Sequence, residues 1–120
     1  MPETILIPTD VFSELRERIA EIAPSLHCLP YTEDDTPVYV ADAVALLRWI
    51  GGKRFTSLIL RGKNIRWLHT ASAGVDHVLT PTVRERCERG DLTLTDSGPA
   101  FAVAIGEFVL AWMLAVSHRL

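Results

Sequence analysis

The sequence is poor in cysteine, and its one pair of adjacent glycines, Gly51-Gly52, lacks the spacing of a phosphate-binding loop. Its two cysteines, Cys28 and Cys87, fit neither C-x-x-C nor C-x-x-H spacing. This argues against a zinc site and against a redox dithiol. We therefore expect reduced, buried thiols, as is usual in a cytoplasmic protein.

Other absences narrow the class of partner. The 12 basic and 15 acidic side chains are interspersed, and no basic stripe with interleaved aromatics points to nucleic acid. The four histidines share no ligand spacing, so no metal site is expected; they are His27, His69, His77 and His118. The amino terminus has neither the basic segment nor the apolar core of a secretion signal.

The longest apolar segment, residues 100–116, carries Glu107 near its middle. An ionised carboxylate there costs a few kcal/mol to insert into a bilayer, and the apolar runs on either side are too short to span one. We expect a buried helix and no membrane partner, with Glu107 paired to a group outside its own helix.

Short apolar runs alternate with helical patterns along the chain. Strands are predicted at 5–7, 26–29, 43–47, 65–69 and 92–95, with helices at 9–23, 55–60, 80–89 and 101–120. Thr9 or Asp10 is expected to cap the first helix, whose apolar face is Phe12, Leu15, Ile19 and Ile22. Thr80-Pro81 and Gly90 are expected to start and end the third helix, with Val83 and Cys87 buried. This order predicts an α/β fold, a doubly wound parallel sheet in a three-layer α/β/α arrangement.

The segment of residues 65–76 is the most informative. An apolar strand, with Ile65, Trp67 and Leu68 expected to be buried, is followed by the small residues 71–74, which end at Gly74. Ligands of such sheets bind at the carboxyl ends of strands, where small residues expose backbone N–H groups to an anion. The alternative is a tight turn that needs Gly74 for its φ angle.

Two further sets of residues lie at or near the same predicted edge of the sheet. Arg48 follows a predicted strand beside the expected ligand crevice, and is either a ligand contact or a solvated surface arginine. Ser72, His69 and Asp76 are the residue types of a hydrolase triad, but no nucleophile-elbow motif surrounds Ser72. We expect no catalytic residue among them.

Three segments resemble the D-isomer-specific 2-hydroxyacid dehydrogenases. Residues 67–76, Trp-Leu-His-Thr-Ala-Ser-Ala-Gly-Val-Asp, resemble the family's substrate loop. Residues 92–98 resemble a later strand, and residues 105–115, with Arg119 beyond them, resemble the helix that follows it. The three occur in the family's order and cover about half of the chain.

The resemblance implies a flavodoxin-like substrate-domain portion at 1–100 and a linking helix at 101–120. It implies that Ala73 and Gly74 offer N–H groups to a substrate carboxylate, that Ser72 shapes the loop, that Arg48 lies beside it, and that Glu107 ties the interdomain hinge. The family's Rossmann domain, which binds NAD or NADP and carries the catalytic Arg, Glu and His, has no counterpart here. We therefore expect this chain alone to be inactive and to bind no cofactor.

Two hypotheses for the function of the chain remain open at this point. One is the substrate-domain portion of an NAD(P)-dependent oxidoreductase acting on a small 2-hydroxy or 2-keto acid. The other is a non-enzymatic flavodoxin-like module that binds a small anion or a protein partner. In both, the nearly all-round apolar helix at 101–120 needs cover, so we expect a homodimer formed through it.

Overall fold

The computed structural model describes residues 2–49 and 54–120, so Gly51-Gly52 lies outside the described residues. The strands are β1 (Thr4–Pro8), β2 (His27–Tyr31), β3 (Ala43–Arg48), β4 (Trp67–Thr70) and β5 (Thr93–Asp96). The α-helices are α1 (Phe12–Ile22), α2 (Phe55–Arg61), α3 (Pro81–Arg89) and α4 (Gly98–Ser117). Short 3₁₀ turns occupy Thr9–Val11 and Val38–Asp42.

All five strands are parallel and lie in the order β2-β1-β3-β4-β5. The chain moves outward in one direction from β1 to β2 and in the other from β3 to β5. With right-handed crossovers, this places α1 on one face and α2 and α3 on the other. The predicted α/β doubly wound sheet is confirmed.

The two faces of the sheet are covered to different extents. Alternate residues such as Leu6, Leu46 and Leu68 pack with α2 and α3 into the main core. The opposite face, which we call the groove face, carries Ile5, Ala45 and Trp67, whose described helical cover is α1. Trp67 was expected to be buried but is 48% exposed, because none of the described helices covers β4 on this side.

Helix α3 follows its local signals. The Thr80 hydroxyl accepts a hydrogen bond from the backbone N–H of Val83, and Pro81 opens the helix. Gly90 ends it at φ +80°, the left-handed conformation that glycine adopts without strain. Val83 is buried as expected, whereas Cys87 is only partly buried against the core.

Three expectations at β1, α1 and β2 are wrong. Neither Thr9 nor Asp10 caps α1, because the Thr9 hydroxyl donates instead to the Tyr31 carbonyl. Ile22 is exposed, whereas the other members of the predicted apolar face are half-buried. Strand β2 also continues through Pro30, since β2 is an edge strand and its outer side needs no N–H donor.

The two cysteines are free thiols but only partly buried, less than the sequence led us to expect. Burial raises the pKa of the Cys28 thiol above its ordinary value, and the positive charge of Arg16 opposes that shift. The thiolate, which is the reactive form, is therefore disfavoured at Cys28.

Helix α4 is not the buried helix that its composition indicated. Nearly all its side chains are exposed, and Glu107 is exposed with them, because no residue of the helix joins the main core. The Glu107 carboxylate therefore needs no buried partner. Of the described helices, α4 alone is long and apolar enough to cross a membrane, judged by length and composition.

Candidate functional site

Three strand ends form the edge at which the sequence places a ligand. The pairing register sets Arg48 of β3 opposite Thr70 of β4, and Thr70 opposite Asp96 of β5. The loop of residues 71–79 leaves β4 at this edge. Its first residue is fixed by a hydrogen bond from the Ala71 N–H to the Arg48 carbonyl, 2.8 Å long.

A small polar cluster shapes that loop. The Ser72 hydroxyl donates to the Gly74 carbonyl at 2.7 Å and lies 2.9 Å from the Thr70 hydroxyl. The Nε2 atom of His77 lies 3.2 Å from Ser72 Oγ and 3.3 Å from Thr70 Oγ1. The Ser97 N–H donates to the Ser72 carbonyl at 3.0 Å, which joins the loop to the start of α4. Ser72 therefore contacts both the loop and the start of α4.

Ala73 and Gly74 present their backbone to solvent. Both are exposed, and within residues 2–49 and 54–120 neither N–H donates to a protein acceptor. Such N–H groups are suited to a carboxylate or another small anion.

The turn interpretation of Gly74 is wrong. Among the described glycines only Gly90 has a positive φ, and a Cβ placed on Gly74 would meet nothing within 4 Å. Neither backbone conformation nor packing within the described chain requires glycine at this position. What glycine adds is open space beside an exposed N–H group.

Arg48 is not a solvated surface arginine. It is 4% exposed, and its Nε and Nη2 atoms donate to the two carboxylate oxygens of Glu33 at 2.6 and 3.2 Å. Nη1 donates to the His77 carbonyl at 3.1 Å, and the guanidinium lies 4.2 Å from the ring centroid of Phe55. All three guanidinium nitrogens therefore contact protein groups, and the bond to His77 fixes the loop of residues 71–79 to Arg48.

Two buried residues beside Arg48 were missed by the sequence analysis. Glu33 balances the arginine charge, but the acidic segment 32–37 gives no sign of which of its carboxylates turns inward. The buried Tyr31 hydroxyl donates to the Leu47 carbonyl at 2.6 Å. Burial and the Glu33 charge raise the pKa of Tyr31 far above its ordinary value, with Arg48 acting in the opposite direction.

The residue types of a hydrolase triad do not assemble. The His69 ring contacts Thr95 Oγ1 at 2.7 Å and Ser97 Oγ at 2.9 Å, and it is His77 that meets Ser72. A serine nucleophile must give its proton to the histidine. Here that proton is directed to the Gly74 carbonyl, which leaves Ser72 unactivated.

No group of three or more metal-ligating side chains occurs in the described part of the chain. No protein-family model and no curated protein sequence matches the chain.

Solved structures do resemble the chain. A D-isomer specific 2-hydroxyacid dehydrogenase family protein from Aeromonas salmonicida subsp. salmonicida A449 superposes with a TM-score of 0.71 at 24% identity. The match covers 100% of this chain and 37% of that protein. This chain has the fold of part of a 2-hydroxyacid dehydrogenase. Phosphoglycerate dehydrogenase from Lactobacillus plantarum also matches, with a TM-score of 0.60, 18% identity and coverage of 95% of this chain and 35% of its own. The chain thus spans little more than a third of either relative.

Proposed function

We propose that this chain is the substrate-domain portion of an NAD(P)-dependent oxidoreductase that acts on a small D-2-hydroxy acid or 2-keto acid. The observation that carries the proposal is the pair of exposed N–H groups at Ala73 and Gly74, at the carboxyl edge of a sheet of dehydrogenase fold. In the complete enzyme, hydride moves between the nicotinamide and C2 of the acid. We also propose a cytoplasmic location, on the weaker ground of the two free thiols.

In this proposal the substrate carboxylate accepts hydrogen bonds from Ala73 and Gly74. Ser72, with its hydroxyl on the Gly74 carbonyl, fixes the orientation of that peptide. Arg48 positions the loop, because it donates a hydrogen bond to the His77 carbonyl while Glu33 balances its charge. All three guanidinium nitrogens of Arg48 already donate to protein groups. We therefore assign Arg48 a role in positioning the loop, in place of the direct substrate contact considered from the sequence.

The residues of this chain do not fit a dinucleotide. In a doubly wound sheet the pyrophosphate lies against a glycine-rich turn after the first strand. Strand β1 ends at Pro8 and is followed by Thr9 and Asp10, and the Thr9 hydroxyl donates to the Tyr31 carbonyl. Nicotinamide binding and the catalytic acid-base groups are therefore assigned to protein outside these 120 residues.

Titration of the isotopically labelled chain with oxamate, followed by amide NMR, tests the proposed anion loop. We expect the largest chemical-shift changes at Ala73 and Gly74, because their N–H groups would meet the carboxylate. Oxamide is the matched control, since it has similar shape and no charge. Equal shifts with oxamide, or shifts confined to other regions, would contradict the proposal.

The variant Gly74→Val separates binding from folding. A valine side chain would occupy the open space beside the loop, so we expect oxamate binding to weaken at least tenfold. The urea midpoint should be nearly unchanged, because a Cβ at this position meets nothing within 4 Å. Unaltered oxamate binding by a folded Gly74→Val chain would argue against the loop as the anion site.

The rival function is a non-enzymatic module that binds a small anion or a protein partner, and the exposure of α4 favours the protein partner. A module that binds only a protein partner gives no saturable response to oxamate at Ala73 and Gly74, and the substrate-domain portion gives one.

A further inference from the structure

The loop of residues 71–79 carries a histidine beside the candidate anion site. His77 Nε2 lies 3.2 Å from Ser72 Oγ, and Ser72 Oγ in turn lies 2.7 Å from the Gly74 carbonyl oxygen. The backbone of His77 is fixed as well, because Arg48 donates to its carbonyl at 3.1 Å. The ring is therefore held two hydrogen bonds away from the peptide of Gly74.

The count of protons in this cluster assigns a hydrogen to one ring nitrogen of His77. The Ser72 hydroxyl donates to the Gly74 carbonyl, so its oxygen can only accept from Thr70 and His77. Every contact is satisfied when Thr70 donates to Ser72 Oγ and His77 Nε2–H donates to the two hydroxyl oxygens. A bare Nε2 would instead face the lone pairs of Ser72.

The other ring nitrogen, Nδ1, is where His77 can gain a proton. The side chain is exposed, and within residues 2–49 and 54–120 Nδ1 makes no hydrogen bond to protein. A proton added at Nδ1 leaves every contact of Nε2 in place. Because histidine changes charge between about pH 5 and 8, the ring can become a cation without rearrangement of the loop.

The remaining charges at this edge of the sheet do not favour an anion. The Arg48 guanidinium is balanced by Glu33, and all three of its nitrogens donate to protein groups. Asp96 at the end of β5 and Asp76 beside His77 add negative charge. Backbone N–H groups alone would therefore receive a carboxylate in negative surroundings.

The neighbouring histidine of β4 lies on the opposite side of the sheet. His69 alternates with Thr70 along the strand and lines the groove face together with Trp67. Its two ring nitrogens contact the hydroxyl oxygens of Thr95 and Ser97. His77 is therefore the histidine that contacts the loop.

We propose that His77 supplies the positive charge of the anion site, and that protonation of its ring strengthens the binding of a small carboxylate at Ala73 and Gly74. This inference rests on the proposed function, because it concerns the same loop. Two hydrogen bonds span roughly 6 Å, and opposite charges about 4–6 Å apart favour one another's charged form. The coupling is reciprocal, so a bound carboxylate also holds the proton on His77.

The pH dependence of oxamate binding tests the proposal. We expect the Kd from the amide shifts of Ala73 and Gly74 to fall about fivefold between about pH 7.5 and about pH 5.5 at low ionic strength, because the ring becomes cationic while oxamate stays charged. Added salt should reduce this gain by screening. Any response to uncharged oxamide should be the same at both pH values.

A second measurement follows the ring and needs no variant. Ring-proton NMR of the unmodified chain gives the midpoint of the His77 titration with and without saturating oxamate. We expect oxamate to move this midpoint to higher pH by the factor by which protonation tightens binding. His27 is the internal control, since it begins β2 at the opposite edge of the sheet and its midpoint should not move.

Two variants separate the charge of His77 from the shape of its ring. His77→Gln keeps a hydrogen-bonding side chain without charge, so we expect weak oxamate binding at both pH values. His77→Lys is cationic at both, and it should bind about as tightly at pH 7.5 as the unmodified chain does at about pH 5.5. His27→Gln is the matched control and should retain the pH dependence. Circular dichroism checks that each variant is folded.

The outcomes separate this inference from the proposed function. Oxamate that shifts Ala73 and Gly74 with equal affinity at both pH values would overturn the inference and leave the proposed function standing. An unmoved His77 midpoint would do the same, as would a folded His77→Lys chain that binds no better than His77→Gln. Oxamate that shifts neither amide at either pH would overturn both.

Discussion

Arg48 and Arg66 each pair with a glutamate, but their surroundings give the two pairs different weight. Arg48 and Glu33 are almost fully buried, whereas the side chains of Arg66 and Glu3 are 62% and 51% exposed. The charges of an exposed pair stay hydrated and are screened by water, so the pair contributes little to the free energy of unfolding. A buried pair leaves a charge without solvent when one partner is removed.

We therefore expect Arg48→Met to lower the free energy of unfolding by about 3–5 kcal/mol, because the variant breaks a buried bidentate ion pair and also loses the hydrogen bond to the His77 carbonyl. Arg66→Met is the control and should cost at most about 1 kcal/mol. Urea unfolding followed by tryptophan fluorescence measures both. Similar losses in the two variants would mean that the Arg48 pair is solvated in solution.

Among the elements, α3 was the most predictable from sequence and α4 the least. Thr80, Pro81 and Gly90 act within a few residues of the positions that they define, so sequence alone locates the ends of α3. The burial of α4 depends instead on which other surface covers it. Composition marks Phe108 and Trp112 as apolar but contains no information about that surface.

The residues of the candidate site also differ in how well the sequence predicts them. The small residues 71–74 after an apolar strand identify the loop, because that pattern is local. Glu33 and Tyr31 reach Arg48 only through the pairing of β1, β2 and β3, which no spacing in the sequence expresses. His77 likewise meets Ser72 only because the loop folds back on itself.

The end of α3 gives a prediction with a built-in control. We expect Gly90→Ala to destabilise the chain by about 1 kcal/mol, since φ +80° is strained for any residue with a Cβ. Gly74→Ala should be nearly neutral or slightly stabilising, because Gly74 has no positive φ and has open space around it. Urea midpoints of the two variants should therefore move apart, and a shared direction would contradict the backbone argument.

The connection from α3 to β5 carries a pH-dependent contribution. Partial desolvation acts to raise the pKa of Asp91, but hydrogen bonds from Arg89 and Arg86 outweigh it and hold that pKa below its ordinary 3.8. A carboxyl group whose pKa is lower in the folded state stabilises the fold above its unfolded pKa. That stabilisation is lost as the pH falls through the folded pKa.

We expect Asp91→Asn to be less stable than the unmodified chain at pH 7, and the difference to shrink as the pH falls below about 3.8. Urea midpoints measured from pH 7 to pH 2.5 check the sign. Asp10→Asn is the control, because no partner is found for Asp10 among the described side chains. A difference that grows on acidification would contradict the assignment.

At the scale of the whole molecule, we propose an anion site at the loop of residues 71–79, and the described turn after β1 does not resemble a dinucleotide-binding turn. We expect calorimetric titration with NAD or NADP to give no micromolar binding, since the turn after β1 has no phosphate-cradling glycines. Oxamate in the same instrument is the companion measurement. Micromolar NAD affinity would overturn the assignment of the cofactor to protein outside these residues.

The exposure of α4 also predicts what the sheet can do without it. No residue of α4 belongs to the main core cluster, and nearly all its side chains are exposed. Removal of residues 101–120 leaves the described core cluster in place. The free energy of unfolding of chain 1–100 should therefore lie within about 1 kcal/mol of the parent value when both are monomeric, because folding stability follows buried area.

Concentration provides the control for that truncation. If association through α4 stabilises the parent, the urea midpoint of the parent rises with protein concentration, by mass action, whereas that of chain 1–100 does not. Light scattering should report chain 1–100 as a monomer. A truncated chain that fails to fold even when dilute would show that α4 covers its own sheet in solution, and it would place the domain boundary after α4 rather than before it.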